Sequence, residues 1–276
     1  MPEQVISDKV VRATVEDRLN QMLVFRDAFR GLDASDVNSD TIEVPVPVQD
    51  MAEPEPIEPG GEYPNSRENY VRVPSNREKY GEMATIPEED QIDSVFEIVQ
   101  EHVTGAANKM ARKLDAVAYN ELTRAVNNNG LGTVNPDGDD AVDYDDLIEG
   151  QAVLEDQEEP TSPDMAFFGP YGKKDILSYL ADRGTDLGDE AVETGQFGAF
   201  AGLDFMYSTA GELTDRQVIL VDSDAFGYEA TWQGISTESE ENFDTDETKY
   251  KIKTYKDFMW ARDDDALSAA AVLVDG

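Results

Sequence analysis

Three stretches of the chain carry residue types suited to chemistry. Residues 167–175, FFGPYGKKD, place Gly169, Gly172 and Lys173 between a strand-like and a helix-like segment, which is where backbone amides and a lysine cradle phosphate. The glycine spacing is too short for a phosphate loop, and Lys174 stands where a hydroxyl would hold magnesium, so the segment reads as a turn and helix start. Residues 135–146, NPDGDDAVDYDD, offer the clustered carboxylates that hard cations require. They lack the spacing and the closing glutamate of a calcium loop and read as a solvated acidic linker. His102 is the single histidine; it falls in a helical stretch with no G-x-S-x-G segment elsewhere to supply a nucleophile, so it reads as structural. The chain has no cysteine, which excludes disulfides, thiolate catalysis and sulfur-ligated metals. Among 60 acidic residues any carboxylate pair is expected by chance. No catalytic, cofactor-binding or metal-ligating residue is assigned, no cofactor is expected, and the chain reads as a non-enzyme.

The cations carry more information. Asp and Glu outnumber Lys and Arg 60 to 22 over 276 residues, for a formal charge of -38. Self-repulsion on that scale destabilises a compact chain in dilute buffer and is tolerated where salt screens it, which points to a salt-loving source. A hydrophobic fraction of 39% with 9% aromatics supplies a core, so a disordered acidic chain is disfavoured. The few cations gather in the N-terminal helix, in YVRVPSNREKY (residues 70–80), in a long central helix and in a tail strand; residues 31–66, 125–172 and 217–248 contain none. Arginines on a projecting segment suit bidentate contacts with the acidic surface of an identical copy. Arg67, Arg72, Arg77 and Lys79 are therefore expected to grip an adjacent subunit, the alternative being an arm that lies on its own chain. Lysines 249–256 are expected to pair internally with surrounding acids.

The elements that position these residues follow from periodicity. Residues 10–31 repeat apolar side chains at helical spacing and stop at Gly31. TIEVPVPVQD alternates like a strand, while Pro45 and Pro47 confine it to an edge; after a Pro/Glu/Gly turn, NYVRVPSNREKYGEMATIP returns, so 41–86 is expected to form a long hairpin arm. From Pro87 to NNNG an apolar residue recurs every three or four positions, predicting one long helix with Gly105 as a bend or close contact. That helix would run about 55 Å and the arm roughly 60 Å, against a radius of gyration of about 19 Å for a globule of this length. The expected shape is elongated or flat, with an arm projecting past its own core. Residues 136–235 read as a separate α/β lobe, with helices in DYDDLIEGQAVLED and KKDILSYLADRG and strands in DMAFFG, AGLDFMYST and RQVILVDS. The tail alternates through KYKIK and closes with AAAVLV; two strands of one half-buried sheet, joined by an acidic turn at Asp263–Asp265, are expected. No apolar run is long enough to span a bilayer and no signal-peptide core is present, so the chain reads as intracellular.

This order of parts, with MATIPEEDQIDSVFEIVQEHVTGAANKMARKLDAVAYNELTRAV as a spine and TKYKIKTYKDFMWARDDDALSAAAVLV as the closing β-segment, resembles the major capsid proteins of tailed double-stranded DNA viruses. The resemblance implies an α+β protein with the Hong-Kong-97 type capsid fold. Its parts would be an N-terminal arm with an amphipathic helix (1–40), an extended loop (41–86), the spine helix of a peripheral domain (87–135), an axial domain (136–239) and peripheral β-sheet (240–276). It also implies hexamers and pentamers in an icosahedral shell that encloses double-stranded DNA without sequence-specific binding. Portal, scaffold and decoration proteins would be partners, assembly would occur in the host cytoplasm without a membrane, and the acidity suggests a haloarchaeal host. An encapsulin-like compartment shares the implied fold. A soluble halophilic enzyme or binding protein is the alternative of another class.

Overall fold

The computed structural model describes residues 12–13, 15–17, 22–48, 57, 69–87, 97–135, 141–157, 159–183, 199–200, 202–208, 213, 216–242, 246–262 and 267–275. Residues 12–13, 15–17 and 22 are helical and precede a 3-10 turn at Phe25–Ala28. The strands are β1 (Phe29–Asp33), β2 (Thr41–Val48), β3 (Asn69–Asn76), β4 (Glu78–Pro87), β5 (Thr133–Val134), β6 (Met165–Phe168), β7 (Ala199–Phe200), β8 (Leu203–Tyr207), β9 (Gln217–Val221), β10 (Gly227–Asn242), β11 (Glu247–Trp260) and β12 (Ala271–Asp275). Among the described residues the longer helices are α1 (Glu97–Asn128), α2 (Tyr144–Glu155) and α3 (Pro170–Arg183).

The strands form three sheets: a four-stranded one in the order β1-β10-β11-β4, a six-stranded one in the order β5-β12-β9-β6-β8-β7, and the isolated hairpin β2–β3. Helix α1, at 32 residues, runs about 48 Å. It packs on β4 and β11 through Val103, Ala107, Met110, Leu114, Ala118 and Leu122, all buried. The alanines let the helix axis approach the sheet closely, while the larger side chains fill the pleats. On the sheet side they meet Ala84, Ile86, Tyr250, Ile252, Phe258 and Trp260. Gly105 is exposed, and a Cβ there would meet nothing within 4 Å, so the close contact expected from sequence is not the reason for this glycine.

The second core lies under α2 and α3 against the six-stranded sheet, with Leu147, Leu154, Ile176, Leu180, Leu220 and Val272 buried. Gly150 of α2 is there because a Cβ would stand 2.7 Å from Leu220 Cδ1 and 2.8 Å from Val274 Cγ2. The expected helices and strands of this region are all present.

Two segments depart from the sequence reading. The hairpin arm ends at Asn76: residues 78–87 leave it and pair antiparallel with β11 (Tyr80↔Thr254, Ala84↔Tyr250), because Ala84 and Ile86 alternate toward α1 and find a core there. The closing apolar run does not share a sheet with KYKIK. Strand β12 crosses to the six-stranded sheet, antiparallel to β9 and parallel to β5. Apolar on both faces, AVLV suits a central strand covered by helices, whereas the alternation of β11 suits a sheet with one polar face. Residues 263–266, between the two strands, lie outside the described set.

Candidate assembly surface and its anchoring carboxylates

The arm's stem is the hairpin β2–β3, in register from Thr41↔Asn76 to Val48↔Asn69. Pro45 and Pro47 sit in β2, which pairs on one side only. One face of the hairpin is apolar: Val46 and Val73 are buried, with Val44, Val48 and Val71 beside them, against Met259, Ala261, Leu267 and Tyr228. The stem therefore lies on the four-stranded sheet's face opposite α1.

Its root is held by polar groups. Asp257 of β11 accepts from the Ser75 hydroxyl at 2.7 Å and from the Asn76 amide at 2.8 Å. Burial pushes the Asp257 carboxyl up, the bonds from Ser75 and Asn76 pull it down, and the nearby Glu78 charge raises it again, for a net rise. The Arg77 amide donates to the Asp40 carbonyl at 2.7 Å and its guanidinium pairs with the Asp40 carboxylate. Arg77 and Lys79 lie 5.6 and 5.9 Å from the Tyr255 ring centroid. Burial, followed by the hydrogen bond to Glu78, holds the Tyr80 phenol well above its usual range.

Of the four cations expected to contact a neighbour, Arg67 lies outside the described residues. Arg72 bridges the hairpin to Glu43 at 3.1 Å and is 74% exposed. The structure thus brings Arg77 and Lys79 together on Tyr255 and places Arg72 further along the stem. Three of the four tail lysines pair as expected, Lys251 and Lys253 with Glu238 and Lys256 with Glu229.

Two further carboxylates tie the N-terminal segment to the same platform. Asp115, buried in the apolar stripe of α1, accepts from the Val24 and Phe25 amides at 2.8 and 2.9 Å, satisfying the open end of the 3-10 turn. This seats the Phe25 ring 5.0 Å from Tyr119 and 5.5 Å from Phe167. Buried Glu229 of β10 receives Arg26 Nε at 2.7 Å and the Lys256 ammonium. Both partners are supplied, as a buried charge demands. Sequence reasoning missed all three anchors. Asp115 left a signal, an acid inside an apolar stripe; Glu229 and Asp257 left none among so many acids.

Two of the three stretches first considered for chemistry, around Gly169 and Asp143, have structural tasks. A Cβ at Gly169 would come 1.8 Å from the Leu213 carbonyl oxygen, which requires glycine, and Lys173 lies 4.5 Å from the Tyr207 ring centroid. Asp143 caps α2 through the Asp145 and Asp146 amides, with Asp146 closing a capping box; residues 136–140 of the acidic stretch lie outside the described set. His102 is exposed, on the rim of an open groove of about 480 Å³ between α1 and β4. Among the described residues no group of three His, Asp or Glu side chains is placed to hold a metal, and no helix is long and apolar enough to cross a membrane.

The fold is a long spine helix on a four-stranded sheet, a six-stranded sheet under two helices, and an arm clamped at its root, and comparison with known proteins gives its class. Residues 73–272 match the family model described as phage capsid protein, and the chain belongs to that family. The capsid of a native GTA particle has a TM-score of 0.69 at 14% identity, with 100% of this chain and 93% of that chain covered. A structure from Microbacterium phage Oxtober96 has a TM-score of 0.68 at 17% identity, covering 91% and 90%. A virus-like particle from Pyrococcus furiosus has a TM-score of 0.61 at 9% identity, covering 98% and 100%. No curated protein matches the chain. The protein is a structural major capsid protein with the Hong-Kong-97 type fold, a component of the virion.

Proposed function

We propose that copies of this chain form the hexamers and pentamers of an icosahedral shell enclosing double-stranded DNA in a tailed virus of haloarchaea. The observation that carries this reading is the family match over 73–272, joined to capsid structures that cover this chain almost end to end. The halophilic host is supported by the -38 charge, which needs screening before copies can meet. In this reading α1, the four-stranded sheet and the arm form the peripheral domain, and the six-stranded sheet with α2 and α3 forms the axial domain. Assembly takes place in the host cytoplasm, with portal, scaffold and decoration proteins as partners.

The arm is the proposed inter-subunit element. Arg72 is mostly exposed, and its Glu43 partner is exposed too, so exchanging that acid for one on a neighbouring copy costs little. Arg67, Arg77 and Lys79 complete the grip. Arg72→Glu combined with Arg77→Glu should abolish particles in negative-stain images while leaving the circular dichroism spectrum unchanged; intact particles would refute the role of the arm cations.

An encapsulin-like compartment is the second reading, favoured by the likeness to the Pyrococcus furiosus virus-like particle. Nuclease-protected double-stranded DNA in native particles supports the virus, and protein cargo without nucleic acid supports the compartment.

A further inference from the structure

The outward face of α1 is unlike the rest of this acidic chain. The first turns of α1 carry Glu97 and Glu101, Glu101 exposed beside Gly105 and Lys109; beyond them, residues 102–128 contain four cations and only two carboxylates. Both carboxylates are turned away: Asp115 is buried against the Val24 and Phe25 amides, and Glu121 is bound by Arg124 and the Trp260 backbone. Helical spacing sets Lys109, Arg112 and Lys113 opposite the buried stripe of Ala107, Leu114 and Ala118, with Gly105, Ala116 and Asn120 on the same outward side. Lys109 is 74% exposed and reaches Glu82 at 3.2 Å. Arg112 and Lys113 are exposed, and no described carboxylate lies within ion-pair distance of either.

A stripe of this composition fits one class of partner. An interface between protein copies would be built on aromatic or aliphatic anchors in a desolvated centre, with lysine depleted. Here the large apolar residues of α1 from Val103 to Val126 pack into the core. What remains between Gly105 and Asn120 is lysine, arginine, asparagine and small residues, the set that contacts phosphate oxygens without reading bases. It spans about 17 Å from Lys109 to Asn120, several phosphates of one strand. We propose that the Lys109–Arg112–Lys113 stripe of α1 is the face this protein turns to duplex nucleic acid, binding its phosphate backbone without sequence preference. The inference rests on the reading of the shell as a DNA container and assigns the contact surface within it.

The test uses the purified full-length chain before assembly and a fluorescently labelled 30-base-pair DNA duplex of arbitrary sequence, with anisotropy followed across a salt series. Wild-type protein should bind at low salt, with the logarithm of affinity falling linearly with the logarithm of salt concentration. Arg112→Gln with Lys113→Gln should weaken binding at least tenfold and lower the slope by about 2, roughly one unit for each phosphate contact removed. Lys249→Gln with Lys251→Gln, in β11, is the control and should change neither. No wild-type binding at low salt, an unchanged slope in the α1 variant or an equal loss in the control would each overturn the proposal. So would an α1 variant that keeps its DNA affinity and loses particle formation, since the stripe would then be a contact between copies. Shell formation is scored separately by microscopy, so a chain that binds duplex through α1 without forming shells would uphold this inference while refuting the container.

Discussion

Three carboxylates each hold a peripheral segment on the rigid helix-and-sheet platform: Asp115 and Glu229 the N-terminal turn, Asp257 the arm. Asp115 satisfies two backbone donors, the Val24 and Phe25 amides, and each buried donor left open costs about 1–3 kcal/mol. Asp115→Ala should therefore destabilise the chain by about 2–4 kcal/mol in urea unfolding at constant salt; a loss under 1 kcal/mol would mean that water replaces the carboxylate. The titration of the less exposed acids has an opposite sense to ordinary acid denaturation. Burial raises the carboxyls of Asp27, Glu121 and Asp257. A raised carboxyl contributes stability that is fully present below its unfolded value and lost as pH rises through its folded value. The melting temperature should therefore climb as pH falls from neutral toward the carboxylate range, helped by neutralisation of the general negative charge. Glu121→Gln should raise the melting temperature at pH 7 and flatten that climb; an unaltered pH profile would contradict the assignment.

Among the elements, the arm is the one whose behaviour the sequence only half discloses. Its alternation and prolines marked an edge hairpin, and β2–β3 is one. Periodicity did not disclose where the hairpin ends or what its apolar face rests on, because both depend on partners more than 180 positions away, Asp257 and Met259. The same holds for β12, whose place in the six-stranded sheet is decided by pairing with β9 and not by its neighbour β11. Helix α1 was legible because thirty-two residues of one period leave little ambiguity. Removing the clamp should act locally: Ser75→Ala should speed hydrogen exchange at the Val71 and Val73 amides several-fold and leave the α1 amides unchanged. A uniform acceleration across the chain would show that the root is part of the global core and not a hinge.

At the scale of the whole molecule, charge and topology work against each other. The fold offers an arm, a ten-residue edge strand in β4 and a long helix, while the -38 charge opposes any approach of identical copies. Screening decides the balance, since the Debye length falls from about 10 Å at 0.1 M salt to about 3 Å at 1 M. Element order was enough to reach the capsid class from sequence. The anchors that make the fold rigid were hidden, because a functional carboxylate among sixty carries no mark until its donors are known. The most direct test of a self-assembling shell protein is light scattering with negative-stain microscopy on purified protein, at molar salt and again after dilution. Closed shells or capsomer rings at high salt that come apart on dilution are the predicted result. A monodisperse monomer at every salt and protein concentration, unchanged when the protein is produced together with the virus's other structural proteins, would contradict the account.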